Sequence, residues 1–368
     1  MEVQFQNSSL LVSHQNKTFH IHPVWLRERL PGEEFFDIDT NQRLFEPSSI
    51  NLDLQISHAE LSDTLLNVEF NDGIKGSFDI DELLTEMDDD KNKRGPLPKR
   101  ILWNSKLKNF PEAQFEEDMI EKESMYNLLI DFYKYGFVII KNVPTEDKYL
   151  LKFVSSIGPV KVTNFGEYFD VKSKPNPNDL AYKPIALPPH TDNPYRKPSA
   201  PGIQFLHCLQ NEVSGGFSTL VDGFAVAEYL RSKYPEAFES LTTTNLRYRF
   251  QDKDIVLENW GELIELDKEG DYKQVRYSTR VDYVPPLEPE NLKKFYQARK
   301  LLSELYCSSE FELKFKLQPG DIIMFDNHRL LHGRTAYDAN EGMRHLQGCY
   351  LEFDSTDGKL RHLARKFQ

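Results

Sequence analysis

Apolar positions in the first 86 residues come in short alternating runs rather than every third or fourth place. Leu10-Leu11-Val12-Ser13-His14, Lys17 to Ile21 and Leu65 to Phe70 therefore read as strands, and Asn71-Asp72-Gly73 as the tight turn of a hairpin. Asp79 to Leu84 opens a helix. Residues 112–135 carry helical periodicity with an acidic start, and Gly136 is placed as the C-cap. Phe137-Val138-Ile139-Ile140 is a buried strand, and Thr145 is placed to cap a second helix ending before Gly158. Further helical patterns run from Asp222 to near Leu241 and from Glu288 to Leu305. Phe311, Leu313, Phe315 and Leu317 alternate with polar residues and close in the turn Gln318-Pro319-Gly320. Runs of strands with inserted helices predict a mainly β fold with flanking helices, a jelly-roll rather than a doubly wound parallel sheet. The charged, proline-containing stretch 87–100 reads as a linker. It separates a small N-terminal β-rich domain, residues 1–95, from a larger domain, residues 96–368.

Composition narrows the classes. The chain has 368 residues, 12% aromatic and 28% charged, which is ordinary for a folded protein and far from disorder. A formal net charge of −13 argues against partners such as nucleic acid or an anionic membrane surface. No apolar run approaches the roughly 18 residues of a transmembrane helix, and Met1 to Asn7 lack the basic-then-apolar layout of a signal peptide. Cys208, Cys307 and Cys349 are too few for a disulfide framework. The expected location is the cytoplasm.

Two stretches carry the chemistry: Pro188-Pro189-His190-Thr191-Asp192-Asn193-Pro194-Tyr195 and Phe325-Asp326-Asn327-His328-Arg329-Leu330-Leu331-His332-Gly333-Arg334. On an extended strand His190 and Asp192 point the same way. With His332 they supply two imidazoles and one carboxylate, the donor set of a 2-His-1-carboxylate facial triad that leaves positions open on a ferrous ion. An isolated His-x-Asp is more often a surface turn. The context strengthens it, because Arg344 follows His332 by about a dozen residues. A guanidinium holds a carboxylate by two parallel bonds and stays charged when buried. If residues 343–353 form a strand, Arg344 and Tyr350 share one face and His345, Gln347 and Cys349 the other.

Several stretches together resemble the γ-butyrobetaine and trimethyllysine hydroxylase family of iron(II)/2-oxoglutarate dioxygenases. They are Leu180-Ala181-Tyr182, His190-Thr191-Asp192, Gly215-Gly216-Phe217-Ser218-Thr219-Leu220-Val221-Asp222-Gly223-Phe224, Phe325 to Arg334 and Arg344 to Tyr350. The resemblance runs from Trp25-Leu26-Arg27 to the C-terminus. It implies a double-stranded β-helix core, Fe(II), 2-oxoglutarate and O2, help from ascorbate, a homodimer, and hydroxylation of a small substrate bearing a quaternary trimethylammonium. It implies His190, Asp192 and His332 as iron ligands and Arg344 with Ser218 as the clamp on the cosubstrate carboxylate. Arg334, immediately after His332-Gly333, is expected to brace the distal strand rather than touch substrate. Phe165, Phe169, Tyr182 and Tyr350 match the family's aromatic cage, which holds a cation lacking N–H donors by cation–π attraction. Some members carry a structural zinc near the N-terminus. Here Glu28 to Glu34 contain no cysteine and Ile74 stands near the usual histidine, so no structural zinc is expected.

The other end of the substrate site departs from the carnitine-forming enzyme. Asn193 replaces an aromatic, and Tyr277-Ser278-Thr279-Arg280 replaces an asparagine pair, with Ser278 and Arg280 expected on one strand face. Several small donors plus a cation suit a group with three oxygens. This pattern is similar to the branch of the family acting on 2-trimethylaminoethylphosphonate, with hydroxylation at the carbon next to phosphorus. γ-Butyrobetaine is the alternative substrate. A zinc hydrolase using the same three ligands would not need Arg344 and Ser218, and a non-catalytic binder would not need the complete triad.

Overall fold

Alternation in the N-terminal stretch becomes two three-stranded antiparallel sheets, Glu2–Gln6, Ser9–His14 and Lys17–Ile21 in one and Ile56–Ser62, Leu65–Phe70 and Lys75–Asp79 in the other. The computed structural model describes residues 2–6, 9–14, 17–88, 95–172 and 183–367, so that Leu180, Ala181 and Tyr182 lie outside the described residues. It falls into two compact units, Met1–Gly95 and Pro96–Gln368. In the first, Asn71 to Gly73 make the hairpin turn, with Gly73 at φ 85, and Asp79 caps the helix Ile80–Met87 through the amides of Asp81 and Glu82. Leu10, Val12, Ile21, Leu66, Val68 and Phe70 are the inward members of the alternation and fill its core.

Two sheets face one another in the second unit. One has the order Leu187–His190, Leu330–Arg334, Ser218–Asp222, Glu312–Phe315, antiparallel throughout. The other has the order Glu112–Gln114, Phe137–Lys141, Ile322–Asp326, Ile203–Asn211, Arg344–Leu351, Phe169–Lys172. Only its edge pair, Glu112–Gln114 with Phe137–Lys141, is parallel. Between them pack Phe137, Phe325 and Leu346 from the larger sheet and Leu220, Leu313 and Leu330 from the smaller. This is a jelly-roll, mainly β with flanking helices. The helices Glu123–Tyr135, Tyr149–Ile157 and Phe353–Phe367 cover the outer face of the larger sheet through Leu128, Phe132, Phe153 and Leu360. No helix among the described residues is long and apolar enough to cross a membrane.

Some expected elements differ. Residues 112–135 do not form one helix: Glu112–Gln114 pair with the neighbouring strand, and the helix begins only at Glu123. Edge pairing outcompetes helical periodicity there, while Gly136 takes φ 79 and ends the helix as expected. Thr145 caps nothing, because the next helix starts at Tyr149. The pattern from Asp222 onward is two helices, Gly223–Lys233 and Pro235–Thr243, since Pro235 cannot continue the first and starts the second. Ser278 to Arg280 lie in a turn closed by Val281 N–H to Ser278 O at 3.0 Å, not on a strand face.

A buried ion pair fastens the smaller sheet. Arg329 and Asp222, 1% and 0% exposed, meet through Nε–Oδ1 at 3.1 Å and Nη2–Oδ2 at 2.7 Å. The guanidinium also donates to the carbonyls of Lys134 and Ile101 at 3.0 and 2.6 Å. Asp222 accepts the amides of Phe224 and Ala225 as N-cap. Every polar atom of the pair therefore has work, which is the condition for tolerating buried charge.

Candidate metal and cosubstrate site

His190 ends one strand of the smaller sheet and His332 sits on its neighbour, opposite it in register. The two rings lie 4.3 Å apart between centroids. Asp192 Oδ1 is 3.5 Å from His190 Nε2 and 3.9 Å from His332 Nε2, and the three ligand atoms fall within 4.8 Å of one another. His190 Nδ1 lies 2.9 Å from the Pro188 carbonyl. A carbonyl only accepts, so Nδ1 carries a proton and Nε2 is the nitrogen left to ligate a metal. The loop between the histidine and the aspartate is held from two sides. Thr191 exchanges bonds with Tyr277, its amide to the carbonyl at 2.8 Å and the Tyr277 amide to its hydroxyl at 2.9 Å. Asn327 bonds both backbone groups of Asp192.

The electrostatics suit a dication. Burial pushes the His332 imidazole down to about 3, helped by neighbouring His190, so it stays neutral and able to ligate. Burial works against charge on Asp192, but His332, His190 and the Tyr350 hydroxyl outweigh it and hold the carboxyl below its usual range. Two imidazole nitrogens and one carboxylate are a borderline-hard set that suits Fe(II).

A cavity of about 500 Å³ opens from these three residues, and Arg344, Ser218 and Arg334 line it. Arg344 is 6% exposed, and its Nε and Nη1 have no hydrogen-bond partner among the described residues. Burial, then the nearby Arg334, bring its guanidinium down to about 10, so it remains a cation at neutral pH. A buried cation that lines the cavity fits the far carboxylate of 2-oxoglutarate. Gly216 makes room for it. A Cβ there would stand 2.8 Å from Arg344 Nε, and its φ of 66 favours glycine. Arg334 donates to the carbonyls of Lys183 and Ile185 at 2.6 and 2.9 Å, bracing its strand against the preceding segment. Tyr337, which the sequence did not single out, lies beneath both guanidiniums at 5.0 and 5.6 Å.

One wall of the cavity is aromatic. Phe169 pairs in register with Gly348 and its ring occupies the space a Cβ at Gly348 would fill, lying 5.3 Å from Tyr350. Phe165, 40% exposed, meets Phe250 edge-on at 5.7 Å, and Phe250 stacks on Tyr195 at 5.0 Å. Tyr195 and Phe250 were not expected in this wall. Tyr195 lies within the first motif and was readable there, whereas nothing around Phe250 announces it. Tyr182 lies outside the described residues. Of the four residues expected at the anionic end, Asn193, Ser278 and Arg280 line the cavity and Thr279 does not, since the turn directs it to solvent. Asn193 is also engaged elsewhere, donating to the Tyr350 hydroxyl at 3.1 Å and accepting from Tyr195.

Comparison with known proteins agrees with this geometry. Residues 104–350 match the family described as taurine catabolism dioxygenase TauD, TfdA family. The chain is 30% identical over 349 residues to γ-butyrobetaine dioxygenase of Pseudomonas sp. (strain AK-1), covering 94% of this chain and 90% of that one. It is 30% identical over 369 residues to the mitochondrial trimethyllysine dioxygenase of Bos taurus, covering 96% and 85%. Among solved structures it resembles PvcB, an Fe, α-ketoglutarate-dependent oxygenase from an isonitrile synthetic pathway. The TM-score is 0.50 at 17% identity, over 70% of this chain and 92% of that one, a likeness of fold.

Proposed function

Because this chain belongs to the TauD/TfdA family of dioxygenases, we propose that it hydroxylates 2-trimethylaminoethylphosphonate at the carbon next to phosphorus. In this reading His190, Asp192 and His332 hold Fe(II), and Arg344 and Ser218 hold 2-oxoglutarate. The chain is an Fe(II)- and 2-oxoglutarate-dependent dioxygenase. When bound, Fe(II) with 2-oxoglutarate and O2 supplies the oxidising chemistry: one oxygen atom ends as the hydroxyl, the other in succinate, and CO2 leaves.

The residues supply position and charge. Asp192 contributes the only negative charge among the three ligands. Arg344, itself buried, neutralises the far carboxylate of the cosubstrate, and Ser218 adds a hydroxyl beside it. Phe169, Tyr350 and Phe165 offer ring faces to a trimethylammonium, each worth roughly 0.5–2 kcal/mol. The observation that carries the phosphonate reading is that Ser278, Arg280 and Asn193 line the same cavity as the three ligands. They offer a hydroxyl, a guanidinium and the Asn193 amide N–H beyond its Tyr350 bond, three kinds of donor for three phosphonate oxygens. Holding both ends fixes the intervening C–H before the metal, an effect of positioning.

γ-Butyrobetaine is the second reading, favoured by the 30% identity to the bacterial dioxygenase of that name. Its single carboxylate needs fewer donors. The deciding experiment is succinate release from 2-oxoglutarate under Fe(II) and ascorbate, with each amine alone. Faster turnover of the phosphonate supports the first reading; faster turnover of γ-butyrobetaine replaces it with the second.

A further inference from the structure

The carboxylate of Asp192 is not symmetric in its surroundings. Oδ1 lies between the two imidazoles, whereas Oδ2 turns away and meets the Tyr350 hydroxyl at 2.8 Å. An ionised carboxylate only accepts, so Tyr350 must donate. Its single proton is thereby used, and on its other side the phenol oxygen can only accept. Asn193 Nδ2 donates to it at 3.1 Å. That orientation leaves Asn193 Oδ1 as an acceptor, which the Tyr195 hydroxyl fills. The bonds all run one way, from Tyr195 through Asn193 and Tyr350 to Asp192. Tyr350, Asn193 and Tyr195 are only 4%, 9% and 5% exposed, so water competes little and the bonds reinforce one another.

We propose that Tyr350 and Asn193 are positioning residues for the metal carboxylate: together they hold Oδ2 so that Asp192 presents Oδ1 alone between His190 and His332. Tyr350 thus has two parts with two tasks, its ring in the aromatic wall beside Phe169 and its hydroxyl on Asp192. Asn193 is suited to its place twice over. Its φ of 54 lies in the left-handed region that asparagine tolerates better than most side chains, and its amide donates on one side while accepting on the other. The residue following the metal aspartate therefore serves the carboxylate as well as lining the cavity. A carboxylate with one oxygen engaged would offer a bound ion a single donor.

This inference rests on the assignment of His190, Asp192 and His332 as ligands, and the test separates the two. Metal-free full-length protein is titrated with Co(II) by calorimetry for wild type, Asp192→Ala, Tyr350→Phe and Asn193→Gly. Wild type should bind one Co(II) and Asp192→Ala should lose it; a wild type that takes up no Co(II) overturns the ligand assignment and the inference with it. Tyr350→Phe keeps the ring and removes only the hydroxyl on Asp192. Its Co(II) affinity should fall by about 10–100-fold, the usual effect of removing a partner of a metal ligand, and the visible Co(II) spectrum should shift. Hydroxylated product per 2-oxoglutarate consumed should fall as well. Asn193→Gly keeps the positive φ without strain and should weaken Co(II) in the same direction by a smaller factor. Wild-type Co(II) affinity and spectrum in Tyr350→Phe, or in Asn193→Gly should the first variant not fold, would overturn the proposal while leaving the ligands assigned.

Discussion

Asn327 grips Asp192 by its backbone on both sides: its Oδ1 accepts the Asp192 amide at 2.7 Å, and its Nδ2 donates to the Asp192 carbonyl at 3.1 Å. The same Nδ2 donates to the Pro201 carbonyl at 2.9 Å, and the side chain is fully buried. Asn327 opens the turn leading to the strand of His332, so one short segment sets both the backbone of the carboxylate ligand and the second imidazole.

Replacing it tests that arrangement. Asn327→Leu fills a similar volume but leaves buried backbone groups of Asp192 unpaired, each a loss of about 1–3 kcal/mol. The urea midpoint should drop, and Co(II) affinity should drop with it although no ligand has changed. Unchanged metal affinity in a destabilised but folded variant would confine Asn327 to a structural role.

The cosubstrate clamp is open to two changes of different kind. Arg344→Lys keeps the charge and loses the planar fork, so the KM for 2-oxoglutarate should rise at least tenfold. Gly216→Ala never touches the cosubstrate, yet its Cβ would meet Arg344 Nε at 2.8 Å in a backbone with φ 66. It should raise the same KM and destabilise by about 1 kcal/mol or more. Wild-type KM values in both variants would mean that another cation binds the carboxylate.

The two ends of the substrate should respond separately. Arg280 is exposed and works against water, so Arg280→Ala should weaken the phosphonate by about tenfold, near 1.4 kcal/mol, and γ-butyrobetaine by less. Phe169→Ala should weaken both alike, since both carry the same trimethylammonium. Equal effects of Arg280→Ala on the two substrates would remove the reason to prefer the phosphonate.

What was readable in the chain and what was not divides along a physical line. His190, Asp192 and His332 are meaningful as residue types at a spacing, and Arg344 and Tyr350 fall on one face because a strand alternates. The structure gathers all five around one cavity. Gly136 ends its helix because a left-handed residue was needed there. Asn193 and Asn327 lay inside the quoted motifs, but their tasks depend on where hydrogen-bond partners distant in sequence come to rest. An aromatic such as Phe250 gives no sign of whether its ring faces core or cavity. The break at Pro235 was legible in principle, since proline inside a helical pattern starts a new helix. The pairing of residues 112–114 with a neighbouring strand was not, because it is decided by the sheet.

The pair between Arg329 and Asp222 permits a stability test. Arg329→Met removes one partner of a buried charge and should destabilise by about 3–5 kcal/mol. Replacing both residues by apolar ones of similar size should recover part of that loss. A single variant as stable as wild type in urea would mean the pair contributes nothing.

That pair also ties together two affinities. Asp222 ends the strand that begins at Ser218, and Arg329 immediately precedes the strand carrying His332; Asp222 lies opposite Leu330, Leu220 opposite His332 and Ser218 opposite Arg334. A slip of one residue between these strands would turn alternate side chains to the other face. The distance from cosubstrate anchor to metal imidazole is therefore a count of residues along two strands locked at one end. On heating, the protein should release 2-oxoglutarate and metal in a single step, at the temperature where this lock gives way.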